Sequence, residues 1–103
     1  MSDYRPDGWA LISHNDNYYV FGSWRGSYLD GDIWRRNSGI VKYEEYDDYY
    51  YFYGYSGSCY HCSKEYNHIT LYNQGVLSSI LSGNKGSKII SVEDFIKEFK
   101  EIV

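Results

Sequence analysis

The chain lacks most of what marks an exported, membrane-bound or nucleic-acid-binding protein. Its longest apolar run is a few residues, far short of the roughly 20 that cross a bilayer as a helix. The N-terminal stretch Met1-Ser2-Asp3-Tyr4-Arg5-Pro6 has no apolar core of the secretory-leader kind. No Asn-x-Ser/Thr acceptor occurs. There are only two cysteines, and without a leader they read as free thiols in a reducing compartment. A basic excess is missing too: net charge is -4, and a general nucleic-acid binder needs a basic face. The expectation is a cytoplasmic protein with no membrane span and no direct nucleic-acid contact.

Aliphatic side chains are sparse, and aromatic rings replace them. Fourteen Tyr, three Trp and four Phe stand in 103 residues. Aromatic and β-branched residues suit pleated, half-buried surfaces better than helices. A chain of this length is expected to form a single domain, residues 1–103, with one modest core. Such a core cannot enclose all these rings, so many of them should face solvent.

The pattern along the chain predicts strands over about 9–62. Trp9 to Ser13 and Tyr18 to Trp24 flank His14-Asn15-Asp16-Asn17, whose Asn and Asp tolerate the left-handed backbone of a tight hairpin. Asp30-Gly31 and Asn37-Ser38-Gly39 bound a third strand from Asp32 to Arg36. Ile40 to Glu45 alternates, with Ile40 and Lys42 on one face and Val41, Tyr43 and Glu45 on the other. Tyr49 to Tyr55 is a strand in which Gly54 marks a bulge or a close backbone approach. Cys59 to Cys62 continues extended. Beyond Ser63 the period changes. Tyr72, Val76 and Ile80 share a helical face, giving a helical segment over about 72–82, and Lys88 to Ile90 forms a short strand. Ser91 caps a C-terminal amphipathic helix over about 92–102, with Glu93 and Asp94 in its first turn and Val92, Phe95, Ile96 and Phe99 on its apolar side. The predicted fold is α+β: an antiparallel sheet of five to six strands with the C-terminal helix packed on one face.

Several groups have the elements of chemistry. Cys59 and Cys62, with His68 following, suggest zinc, but a fourth ligand is missing and would have to come from His14. Residues 59 and 62 of an extended strand also point to opposite faces. The simpler reading is one thiol inward and one outward, with His61 exposed. A thiol nucleophile at Cys59 or Cys62 with a histidine partner lacks a recognisable orienting group. The segment Gly83-Asn84-Lys85-Gly86-Ser87-Lys88 departs from phosphate-loop spacing and reads as a solvent loop. No cofactor is expected.

The strongest local feature is Glu44-Glu45-Tyr46-Asp47-Asp48, four carboxylates in five residues, next to the tyrosine block. As a charged turn it keeps an aromatic strand soluble. As a surface it is suited to a basic partner. Carboxylates on alternate strand residues stand ~7 Å apart and pair with Arg and Lys that otherwise hold phosphates. Exposed Tyr and Trp among Ser, Gly, Asn and Asp also resemble the make-up of binding loops. The contact set expected from these features is Glu44, Glu45, Tyr46, Asp47, Asp48, Tyr49 and Tyr51.

Asp32-Ile33-Trp34-Arg35-Arg36-Asn37-Ser38-Gly39-Ile40 and Tyr53-Gly54-Tyr55-Ser56-Gly57-Ser58-Cys59-Tyr60 resemble a pattern in small β-rich accessory proteins of phages and mobile elements. The resemblance implies inhibitors of host defence, anti-CRISPR proteins among them, and carries over no site residue. Three functions follow as expectations. The first is a non-enzymatic interaction protein that blocks a larger host protein or protein–nucleic-acid complex. The second is a nucleotide-sequestering module using Arg25, Arg35 or Arg36, in which a homodimer would build the pocket. The third is a Cys/His-dependent enzyme or zinc protein.

Overall fold

The computed structural model describes residues 3–25, 33–69 and 71–102. Along the chain these form β1 (Asp3–Tyr4), β2 (Gly8–His14), β3 (Asn17–Trp24), β4 (Ile33–Arg36), β5 (Ile40–Glu45), β6 (Tyr49–Gly54), β7 (Cys59–Ser63), a 3-10 turn (Lys64–Tyr66), α1 (Leu71–Gly83), β8 (Lys88–Ile90) and α2 (Val92–Ile102). The protein is α+β and dominated by sheet. No helix among the described residues is long and apolar enough to cross a membrane. The Asp30-Gly31 turn and the Asp32 start of the third strand lie outside the described residues.

The strands form two four-stranded sheets, where the sequence pattern predicts one of five or six strands. One sheet has the order β1-β7-β6-β5 and the other β4-β3-β2-β8. All neighbours pair antiparallel except β1 and β7, which run parallel. The physical reason for two layers is the burial of β2. Its residues Gly8 to Ile12 are buried without alternation, so both faces of its sheet need cover. On one side Ala10, Ile12 and Phe21 pack with Ile69 and with Leu77 of α1. On the other, Trp9, Leu11, Tyr18 and Val20 meet Phe52, Tyr60 and Cys62 of the first sheet and Phe95 of α2.

The chain changes sheets after β4. Asn37 donates its amide N–H to the Val20 carbonyl at 3.0 Å, and its Oδ1 accepts from Val20 N at 2.9 Å. It thus satisfies the backbone of β3 as one more ladder residue would. Gly39 follows at φ 121°, a conformation L side chains rarely adopt, and a Cβ there would stand 2.9 Å from the Tyr55 ring. The hairpin between β2 and β3 has the predicted left-handed pair, Asn15 at φ 50° and Asp16 at φ 65°.

In β5 the predicted alternation is displaced by a bulge between Ile40 and Lys42. Ile40 and Tyr43 therefore both face inward, while Lys42 and Glu44 pair with Tyr53 and Tyr51 on the other side. Helix α2 closes the cleft between the sheets at this end. Ser91 Oγ accepts from Asp94 N at 3.1 Å, the predicted cap. Phe95 is fully buried, with Tyr18, Tyr43 and Phe52 edge-on around it and Phe99 stacked beside it at 5.0 Å.

Truncating Phe95 removes a ring shared by both sheets and the helix. Phe95→Ala is expected to cost about 3–5 kcal/mol, measured by urea unfolding, and Phe99→Ala distinctly less because that ring is only partly buried. Equal losses would contradict the placement of Phe95 at the junction.

Candidate functional site

The first sheet buries one face, and no helix among the described residues packs on the other. Odd-numbered residues of β6 and β7 point outward: Tyr49, Tyr51 and Tyr53 stand opposite Ser63, His61 and Cys59. Asp3 of β1 stands beside Cys59. A row of side chains therefore crosses four strands. Lys42 Nζ lies over the Tyr53 ring at 4.7 Å. Tyr53 donates its hydroxyl to Glu44 Oε1 at 2.5 Å, and Tyr46 donates to the same oxygen at 3.3 Å. The Tyr51 ring lies 4.8 Å from that of Tyr46 and 4.1 Å from the imidazole of His61. His61 Nε2 reaches Asp3 Oδ1 at 3.8 Å.

Of the predicted contact residues, the structure gathers Glu44, Tyr46, Tyr49 and Tyr51 on this face, with Asp47 and Asp48 exposed in the turn at its end. Glu45 is not with them. It follows Tyr43 on the other side of β5, where Lys64 Nζ binds it at 2.8 Å and lies over the Tyr50 ring at 4.9 Å. Tyr46, just past the end of β5, and Tyr49, at the start of β6, are 49% and 46% exposed. The Tyr53 hydroxyl, with Lys42 and Tyr46 assisting, holds the Glu44 carboxyl below its ordinary range. The same bond pushes the Tyr53 phenol upward. Glu44 is thus a fixed anion at neutral pH, with two hydroxyls oriented toward it.

The cysteines divide as the extended strand predicts. Cys62 faces the inter-sheet core and is fully buried, and burial pushes its thiol well up. Cys59 faces the outer row but is covered by its neighbours. Burial raises its thiol as well, with the Tyr53 hydroxyl opposing. An activated nucleophile is shifted the other way. The predicted metal set Cys59, Cys62 and His68 is not brought together. The two thiols lie on opposite faces, and His68 borders a separate depression with Asp7, Arg25 and Tyr66. His14 binds the Lys85 carbonyl at 3.2 Å, near the α1–β8 loop. His61, predicted to be exposed, is partly buried under Tyr51.

What does gather is Asp3, Cys59 and His61. Their ligand atoms all lie within 4.8 Å of one another. The alternation of Cys59 and His61 on one strand face is visible in the sequence. Asp3 is not, because its place depends on a parallel pairing with a strand more than fifty residues away.

Two of the three arginines predicted to hold a phosphate are engaged otherwise, and the third, Arg25, borders the depression with Asp7, Tyr66 and His68. Arg35 lies over the Tyr4 ring at 4.8 Å and Arg36 over Tyr19 at 4.6 Å. A depression of about 350 Å³ does open on the outer face, between Arg5, Pro6, Tyr49, Tyr51, His61, Ser63 and Tyr66. Comparison with family models, curated proteins and solved structures finds no match to this chain.

Tyr53→Phe removes the largest cause of the Glu44 shift, so the Glu44 titration midpoint, followed by carboxyl-carbon NMR, should move up toward the ordinary 4.5. The sign follows for stability. A depressed carboxyl stabilises the fold above 4.5 and loses that contribution as pH falls through the lowered folded-state value. The acid-side loss should be smaller in Tyr53→Phe than in the parent. An unmoved midpoint would show that Tyr53 is not what holds Glu44.

Proposed function

We propose that this chain is a non-enzymatic interaction protein that docks on the basic, nucleic-acid-handling site of a larger protein. It does so through the outer face of the first sheet and the acidic turn beside it. One observation carries the reading: Tyr46, Tyr49 and Tyr51 stand together on a sheet face that neither helix covers, bordered by Glu44, Asp47 and Asp48. Rings of this kind give large contact area for few rotatable bonds and keep a polar tip for hydrogen bonding. Anchoring by Glu44 reduces the ordering that Tyr46 and Tyr53 would otherwise undergo on binding. The carboxylates supply the complement to Arg and Lys that would hold backbone phosphates. A phage-type inhibitor of a host defence complex, anti-CRISPR proteins being the model for it, is the biological setting that fits this chemistry.

A second reading rests on the 350 Å³ depression. Its tyrosines offer stacking faces and Arg5 offers a cation, which suits a small nucleotide better than the engaged Arg35 and Arg36 do. Native mass spectrometry of the protein from its source cell would show a retained mass, and a clean apo spectrum counts against this ligand.

The interaction reading is tested by capture from source-cell lysate, comparing the parent with Glu44→Gln/Asp47→Asn/Asp48→Asn and with Tyr49→Ala/Tyr51→Ala. The parent should retain a nucleic-acid-handling protein that added duplex or single-stranded nucleic acid displaces. The charge variant should capture less than the parent at low salt and lose less as salt rises, and the tyrosine variant should lose about 2 kcal/mol or more of affinity. Capture indifferent to both variants, or to competing nucleic acid, would remove this face as the docking surface.

A further inference from the structure

We propose that Asp3, Cys59 and His61 form an open, three-ligand site for a divalent transition-metal ion, Zn²⁺ in the first instance. This stands on an observation separate from the docking face. The donor set is one thiolate sulfur, one imidazole nitrogen and one carboxylate oxygen, each a ligand type that zinc accepts. Their atoms lie within 4.8 Å of one another. In a tetrahedral site with bonds of about 2.0–2.3 Å, ligand atoms stand roughly 3.3–3.7 Å apart, so the present cluster closes on an ion by side-chain rotation of about an ångström.

The strands supply the rigidity. Cys59 and His61 are alternate residues on one face of β7, and Asp3 is the partner of Cys59 on the adjacent strand. Neighbouring groups act as an outer shell. The Tyr51 ring packs on His61 at 4.1 Å and fixes its plane. Tyr53 of β6 stands opposite Cys59, held in place by its bond to Glu44. Asp3 is 60% exposed, so the ion has a way in and keeps a position for water. Three protein ligands with a fourth position open is the arrangement of exchangeable rather than closed structural zinc. Soft and borderline cations are selected over Mg²⁺ and Ca²⁺ because the set includes a thiolate. Binding releases the thiol proton to solvent and changes no oxidation state.

The test is titration of the full chain, kept reduced, with Co²⁺ as the spectroscopic stand-in for Zn²⁺. The expected result is one equivalent bound, with a near-ultraviolet thiolate-to-cobalt band and visible bands of tetrahedral strength, all bleached by stoichiometric Zn²⁺. Cys59→Ser should abolish the near-ultraviolet band, and His61→Gln should abolish stoichiometric binding. Asp3→Asn, an isosteric change at an exposed side chain, should weaken binding at least tenfold while the melting curve of the apo protein stays unchanged. Cys62→Ala and His68→Ala should leave the spectrum as it is. Absence of the band in the parent would overturn the site. So would a band that survives Cys59→Ser or is lost in a folded Cys62→Ala protein.

Discussion

Trp9 is the hinge on which the architecture turns. Its ring is fully buried between the two sheets, 5.7 Å from Phe52 and 6.1 Å from Tyr50. Its Nε1 donates across the gap to the Ser63 carbonyl at 2.6 Å. A buried indole N–H without an acceptor is costly, so this bond fixes where β7 lies along β2 as well as how close. Once Phe52, Tyr60 and Cys62 face Trp9, the period of two in β6 and β7 leaves no choice for Tyr49, Tyr51, Tyr53, Cys59 and His61. The composition of the outer face is thus a consequence of the packing on the inner one. A shift of one residue in β6 would send Tyr51 into the core and Phe52 to solvent.

The two sheets differ in how much cover they have. The sheet built on β2 and β3 is enclosed by α1 on one side and by the other sheet and α2 on the other. The sheet built on β6 and β7 has no second helix among the described residues, and its outer side is finished instead with amphipathic rings tied to charges. Lys42 lies on Tyr53, Tyr53 and Tyr46 bond Glu44, and Tyr51 lies on His61. The result is a face that is apolar in area, polar at its tips and ordered before any partner arrives. The two roles weighed for the 44–48 segment, a solubilising turn and a docking element, use the same geometry. Exposed Asp47 and Asp48 oppose edge pairing of tyrosine strands and equally oppose any partner that is not basic.

Much of the fold was legible because it was locally encoded. The Asn15-Asp16 turn, the Ser91 cap and the apolar side of α2 each depend on residues a few positions apart, and each formed as read. Gly54 was legible as a close approach: a Cβ there would meet Ser38 Oγ at 2.9 Å. The parts that were not legible depend on distant partners. Nothing in Asn37 announces that it completes the ladder of β3 and so ends one sheet. The bulge after Ile40 is set by Ile40 and Tyr43 both finding the core, and that one extra residue reverses the face expected for Lys42. Glu44 and Glu45 form one acidic cluster in the sequence, but strand alternation puts them on opposite faces, and Lys64 from beyond β7 engages Glu45 on its own side.

The least legible element is also the one with most chemical consequence. β1 has two residues, and it joins the sheet through two register pairs with β7. Backbone pairing of that length is weak, so side chains must hold it. Tyr4 does this on the inner side, packed on Tyr60 at 4.9 Å and on Trp24 at 6.2 Å, with Arg35 over its ring. On the outer side the only cross-strand attraction described is Asp3 with His61 at 3.8 Å, a separation at which an exposed pair contributes little. Inner packing therefore places Asp3 beside Cys59 and His61, while outer bonding scarcely restrains it. An ion at that point would bind β1 and β7 together where the protein itself spends least on doing so, next to the tyrosines proposed to meet a partner.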